Sequence, residues 1–153
     1  MSGVLRLHRD RWRAYFNSSQ ITVAALRAKS ACEMFGTPVG ASESIFAMLS
    51  PALGLNLVTP APFLTAISEG TEPTAADKAT IDRQIKNKQI KVYVYNSQNA
   101  TPDVQAQVDA AKAAGIPVTT ITETMTPAGT SFQDWQVAQL NGLKQALAQA
   151  TGK

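Results

Sequence analysis

Short β-branched runs alternate with longer amphipathic segments along most of this chain, and that alternation limits the fold more than any other feature. The clearest strand is predicted at 90–95, and a second β-branched run lies at 117–122. Shorter strands are predicted at 36–41 and 55–60, and a helical segment follows each strand. Repeated strand–helix units form parallel sheets through right-handed crossovers. We therefore expect an α/β fold with an open, mostly parallel four-stranded sheet flanked by helices.

Residue types that cap helices indicate where the helices begin. The predicted helix starts are Ser42, Thr74, Thr101 and Ser131, each a hydroxyl residue just before a helical segment. The helix that starts after Ser42 is expected to run to residue 53, and Pro51 is expected to kink or shorten it.

The chain is predicted to hold one α/β lobe, residues 36–153, preceded by a basic arm and a helix, residues 1–35. Its 153 residues suffice for one domain with a proper core. Four arginines lie within the first thirteen residues, and a basic arm of this kind can bind nucleic acid. No aromatic and basic pattern recurs later in the chain. We therefore interpret the arm as a solvated terminus and expect no nucleic-acid partner.

Polar residues follow three of the predicted strands. Glu43 follows the first strand, Asn96 and Gln98 follow the third, and Glu123 follows the fourth. The carboxyl ends of parallel strands meet at one edge of a sheet, where ligands bind in α/β folds. Two carboxylates with amide neighbours could bind a cation or act as an acid/base pair. Alternatively, Glu43 only favours the start of its helix and Asn96 only bonds turn backbone.

Several other kinds of site lack the residues that they need. No glycine-rich phosphate loop of the usual patterns is present, which argues against nucleotide binding. His8 and Cys32 are the sole histidine and cysteine. A zinc site built from several His and Cys residues is therefore unavailable within the chain.

Three segments together resemble a known family. Residues 37–44, 91–98 and 122–135 contain Thr-Pro-Val-Gly-Ala-Ser-Glu-Ser, a Tyr-Asn-x-Gln motif and Glu-Thr-Met-Thr-Pro-x-Gly followed by Trp. In this order they resemble the C-terminal lobe of zinc/manganese-type solute-binding proteins, the metal receptors of ABC importers. Such receptors have two α/β lobes joined by a rigid helix, with the metal in the cleft between the lobes.

The resemblance implies that Glu43 and Glu123 are metal ligands and that Asn96 and Gln98 line the cleft or order its loop. It also implies Zn²⁺ or Mn²⁺ as the bound ion, an ABC permease as partner, an extracytoplasmic location and no catalysis. Such receptors also have a first lobe, a signal sequence and a lipid-anchor cysteine, and we expect this chain to lack all three. We accordingly expect a truncated or single-lobe receptor, with residues 1–35 as a remnant of the connecting helix and a weak, incomplete metal site.

Two other hypotheses about the function remain open. The chain could be a standalone interaction domain that has lost metal binding and uses its exposed face to dimerise or to bind a partner protein. Less favoured is a small enzyme in which Glu43 and Glu123 form an acid/base pair, because this would need an apolar pocket between them. A dimer that does not bind metal would favour the interaction-domain hypothesis.

Overall fold

The computed structural model describes residues 35–152. Residues 1–34 of the predicted basic arm and helix (1–35) lie outside the described residues, so the predicted boundary between arm and lobe stays a prediction.

The described part of the chain alternates strands and helices in the predicted order. The strands are β1 (Pro38–Ala41), β2 (Asn56–Leu57), β3 (Val92–Asn96) and β4 (Val118–Ile121). A short 3-10 helix (Ser44–Phe46) follows β1, and the α-helices are α1 (Leu49–Ala52), α2 (Ala61–Ser68), α3 (Ala75–Lys86), α4 (Pro102–Ala113) and α5 (Phe132–Thr151).

The four strands form one parallel sheet in the order β2-β1-β3-β4. In the register, Val39 pairs with Val92, and Asn96 pairs with Ile121 at the carboxyl end of β4. This confirms the predicted fold class. It also places the loops that follow β1, β3 and β4 side by side at one edge of the sheet.

The sheet separates two hydrophobic cores because successive side chains of a strand point to opposite faces. Val92 and Val94 lie in the core that α5 covers, whereas Tyr93 lies in the core that α2, α3 and α4 cover. Both cores contain almost fully buried side chains: the first includes Leu143 and Leu147, and the second includes Ile81 and Val108.

Three predicted helix starts are confirmed as N-caps with side-chain hydrogen bonds. The hydroxyls of Thr74, Thr101 and Ser131 accept hydrogen bonds from the backbone N–H groups three residues later. Each of these helices therefore begins at a residue whose type is suited to that place.

The prediction of one continuous helix after Ser42 is wrong. The backbone stays extended through Glu43 (φ −153°, ψ 158°), and the chain then forms the 3-10 helix and α1 as two short pieces. Ser42 caps neither piece, because its N–H continues the ladder to Val94 and its Oγ accepts a hydrogen bond from the N–H of Asn96.

None of the described helices has the length and apolar character that crossing a lipid bilayer requires.

Candidate functional site

Glu43 is a buried carboxylate at the carboxyl edge of the sheet. It stands immediately before the 3-10 helix, and only 3% of the residue is exposed. Its Oε2 accepts a hydrogen bond from Nδ2 of Asn96 at 2.6 Å, and its Oε1 accepts one from Nδ2 of Asn99 at 2.7 Å. Both oxygens thus act as acceptors, which is the pattern of an ionised carboxylate.

Asn99 is a site residue that the sequence analysis missed. Besides the bond to Glu43, its Nδ2 donates to the backbone oxygen of Ile67 at the end of α2. The signal was the second asparagine of the turn that follows β3, since a side-chain amide there can reach the neighbouring strand end as well as the turn backbone.

Asn96 bonds the turn backbone, as one of its two alternatives expects, and it also contacts Glu43; its cleft-lining role stays a prediction. It is the last residue of β3 and is 2% exposed. Its Oδ1 accepts a hydrogen bond from the N–H of Gln98 at 2.9 Å, while its Nδ2 donates to Glu43. Because one end of the amide faces a donor and the other a carboxylate, its orientation is fixed.

Gln98 joins the loop after β3 to the loop after β4. Its Oε1 accepts hydrogen bonds from the backbone N–H groups of Glu123 and Thr124, both at 3.0 Å. Its Nε2 donates to Oγ1 of Thr124 at 2.6 Å and to Oγ1 of Thr126 at 3.1 Å. The loop that carries Glu123 is therefore held by one side chain from the neighbouring strand end.

The end of β4 is anchored a second time by α5. The N–H of Thr122 donates to Oε1 of Gln139 at 2.6 Å, and Nε1 of Trp135 donates to Oγ1 of Thr122 at 2.8 Å. The residue before Glu123 is thus fixed to the long terminal helix, which gives the edge a rigid support on that side.

The two predicted ligands lie at the same edge but in different surroundings. Glu43 is buried and bonded to amides, whereas Glu123 is exposed. β3 lies between the strands that precede them, so their strand ends are separated by two strand spacings, or about 10 Å. Within residues 35–152, no three His, Cys, Asp or Glu side chains form a group able to hold a metal ion.

Comparison with known proteins gives a family match over most of the chain. The family model described as "Zinc-uptake complex component A periplasmic" (ZnuA) matches residues 8–146. No curated protein sequence matches.

Solved structures share the fold at low sequence identity. The laminin-binding adhesin Lmb of Streptococcus agalactiae is 20% identical, with a TM-score of 0.61, over 86% of this chain and 47% of the adhesin. The periplasmic zinc binding protein TroA of Treponema pallidum is 21% identical, with a TM-score of 0.61, over 99% of this chain and 55% of TroA.

The Zn(II)-bound ZnuA-like domain of Streptococcus pneumoniae AdcA is 22% identical, with a TM-score of 0.51, over 88% of this chain and 50% of that domain. The chain therefore spans about half the length of these three structures. Because the family model covers residues 8–146, the chain belongs to the ZnuA family of periplasmic zinc-uptake components.

Proposed function

We propose that this chain supplies an α/β lobe of a metal receptor, which binds Zn²⁺ or Mn²⁺ through Glu43 and Glu123 and passes the ion to an ABC permease. Membership of the ZnuA family supports the transport role, and the family's periplasmic members support an extracytoplasmic location. The ion is the transported substrate rather than a resident cofactor.

The observation that carries this proposal is the support given to Glu43. A buried carboxylate is unfavourable unless hydrogen bonds stabilise its charge, and two asparagine amides do so here. Each carboxylate oxygen can accept two hydrogen bonds, so each retains a lone pair for a cation. Amides that hold a metal-binding carboxylate in one orientation are typical of the surroundings of metal ligands.

Two carboxylates supply about half of the four ligands that zinc takes in proteins. Four-ligand structural sites give about 10–16 kcal/mol of binding free energy. Ligand contributions are not additive, but a site with two carboxylates should fall well short of this range; we expect about 5–8 kcal/mol, a dissociation constant between about 1 and 200 µM. The proposed site is therefore weak in this chain, as expected of an incomplete site.

Calorimetric titration of the full chain with Zn²⁺ tests the proposal. We expect binding in that micromolar range, and we expect Glu123→Gln to weaken it by about tenfold or more, because the variant removes one of two ligand charges. Glu69→Gln, a change at an exposed glutamate just after α2, is the matched control and should bind like the wild type. The same titration with Mn²⁺ distinguishes the two candidate ions.

Glu123→Gln is the decisive variant because its side chain is exposed and its loss should leave the fold intact. A wild-type chain that takes up neither ion at about 1 mM, or a Glu123→Gln variant with unchanged affinity, would contradict the proposal. Tight stoichiometric binding by the wild type would instead contradict the weak, incomplete site.

A second candidate is an interaction domain that dimerises. Its support is an apolar groove of about 340 Å³ between α1 and α5, lined by Leu49 and Leu140 among others, beside Met48, which is 84% exposed. Exposed apolar surface of this kind often marks an interface. Light scattering on the full chain and on Met48→Glu tests this candidate: a metal-independent dimer that the substitution dissociates would favour it over the receptor.

An acid/base enzyme receives less support from the same edge. An acid/base pair needs an apolar pocket between its carboxylates, and neither Glu43 nor Glu123 lines the apolar groove between α1 and α5. We therefore propose no catalysis.

A further inference from the structure

The two glutamates at the edge are connected by a continuous series of hydrogen bonds. Glu43 accepts from Asn96, whose Oδ1 in turn accepts from the backbone N–H of Gln98. The side chain of Gln98 then accepts from the backbone N–H groups of Glu123 and Thr124. The loops that carry the two candidate ligands are thus tied through residues of the intervening turn.

Gln98 is the member of this series that bonds the Glu123 loop itself, beside the separate bonds that α5 makes to Thr122. Although the residue is exposed, both ends of its amide are occupied, with two N–H groups on Oε1 and two threonine hydroxyls on Nε2. With the backbone oxygen of Thr124, which accepts from Nε2 at 3.4 Å, five groups of one loop bond this side chain. An ordinary surface glutamine such as Gln105 differs, because its side chain bonds Asp109 on its own helix. The arrangement fixes the backbone from which the Glu123 side chain projects.

We propose that Gln98 is a positioning residue that fixes the loop from which Glu123 would reach a metal ion. The proposal rests on the proposed function, because it assumes that Glu123 is a ligand. It adds that metal affinity depends on a residue that does not itself contact the ion. Groups that orient a metal ligand without touching the ion change metal affinity by about 10–100-fold when they are removed.

The test compares Gln98→Ala with the control Gln105→Ala in the full chain. Without metal, we expect the amide hydrogens of Glu123 and Thr124 to exchange about tenfold faster in Gln98→Ala, since both lose their acceptor. With Zn²⁺, we expect the affinity to fall by about 10–100-fold, with the exchange rates of α5 amides unchanged. Gln105→Ala should match the wild type in both measurements.

Gln98→Glu provides a conservative rescue. Its carboxylate can still accept from both N–H groups, and the hydroxyls of Thr124 and Thr126 can turn to donate to it. We expect this variant to keep the slow exchange at Glu123 that Gln98→Ala loses. Rapid exchange in Gln98→Glu would show that the acceptor contacts do not hold the loop.

The outcomes separate the two proposals. Faster exchange together with weaker zinc binding supports the positioning role. Unchanged exchange, or faster exchange with unchanged zinc affinity, refutes that role while leaving the ligand role of Glu123 in place. A wild-type chain that binds no zinc refutes the proposed function, and the positioning role falls with it.

Discussion

Replacing Glu43 by glutamine keeps the shape of the side chain but converts one acceptor oxygen into an NH₂ group. In the structure, Oε2 faces the NH₂ of Asn96 and Oε1 faces the NH₂ of Asn99. Asn96 cannot turn its amide around, because its Oδ1 accepts from the N–H of Gln98. The amide of Asn99 is also fixed in orientation, because its NH₂ group donates to the backbone oxygen of Ile67 as well. One NH₂ of the variant therefore faces another donor.

The magnitude follows from these contacts. The variant loses a hydrogen bond to a charged acceptor, which contributes about 1.5–3 kcal/mol, and it buries a donor without a partner, which costs about 1–3 kcal/mol. Removing a buried charge offsets part of this loss. We expect Glu43→Gln to lower the free energy of unfolding by about 2–3 kcal/mol. For a chain of this size, that lowers Tm by about 4–12 °C.

The measurement is urea and thermal unfolding of the metal-free protein in the presence of EDTA, followed by circular dichroism. Glu69→Gln serves as the control, because Glu69 is exposed and lies outside this network, and it should change Tm by less than about 2 °C. Equal or higher stability of Glu43→Gln would refute the reasoning. It would mean that the burial of the charge outweighs its hydrogen bonds.

Two further predictions concern the core. In Gly40→Ala, the new Cβ would lie 2.8 Å from Cδ1 of Ile90 and 3.1 Å from Cδ2 of Tyr93. We therefore expect chemical denaturation to show a free energy of unfolding lower by about 1–3 kcal/mol. An unchanged denaturation midpoint would show that Ile90 moves aside freely. Burial, with a smaller contribution from Asp82, raises the pKa of Tyr93, whose ordinary value is about 10. The folded state thus favours the neutral phenol, so this stabilisation is full below about pH 10 and is lost as the pH rises beyond it. Tyr93→Phe should flatten the alkaline part of a stability–pH curve, and an identical alkaline slope in both proteins would contradict this.

Local patterns were enough to predict the sheet and most of the helix starts. The β-branched and aromatic residues of β3, together with the hydroxyl caps Thr74, Thr101 and Ser131, lie within a few residues of the structure that they specify. The chain order of strands and helices then limited the topology to a parallel sheet. These predictions are confirmed, because each of these signals depends on residues that are close together in the sequence.

The helix predicted after Ser42 failed because a distant residue competes for that serine. Its Oγ could have capped a helix, but Asn96, 54 positions away, donates to it instead. The same distance explains why Asn99 was missed: its bond to Glu43 spans 56 positions. The edge at which Glu43 and Glu123 lie could be predicted from strand order, whereas their different burial depends on such long-range contacts. Their role as ligands stays a prediction.

The uncapped 3-10 helix has a consequence for how the molecule folds. The helices that begin after Thr74, Thr101 and Ser131 have local start signals and can gain structure early in folding. By contrast, Glu43 makes no side-chain capping bond, and the N–H of Ser44 donates to Oγ of Ser68, 24 positions away. The surroundings of Glu43 therefore assemble only when β1, α2 and β3 have already docked. On the proposed function, a partly folded chain would lack its site, so ion capture would be confined to molecules that have completed folding.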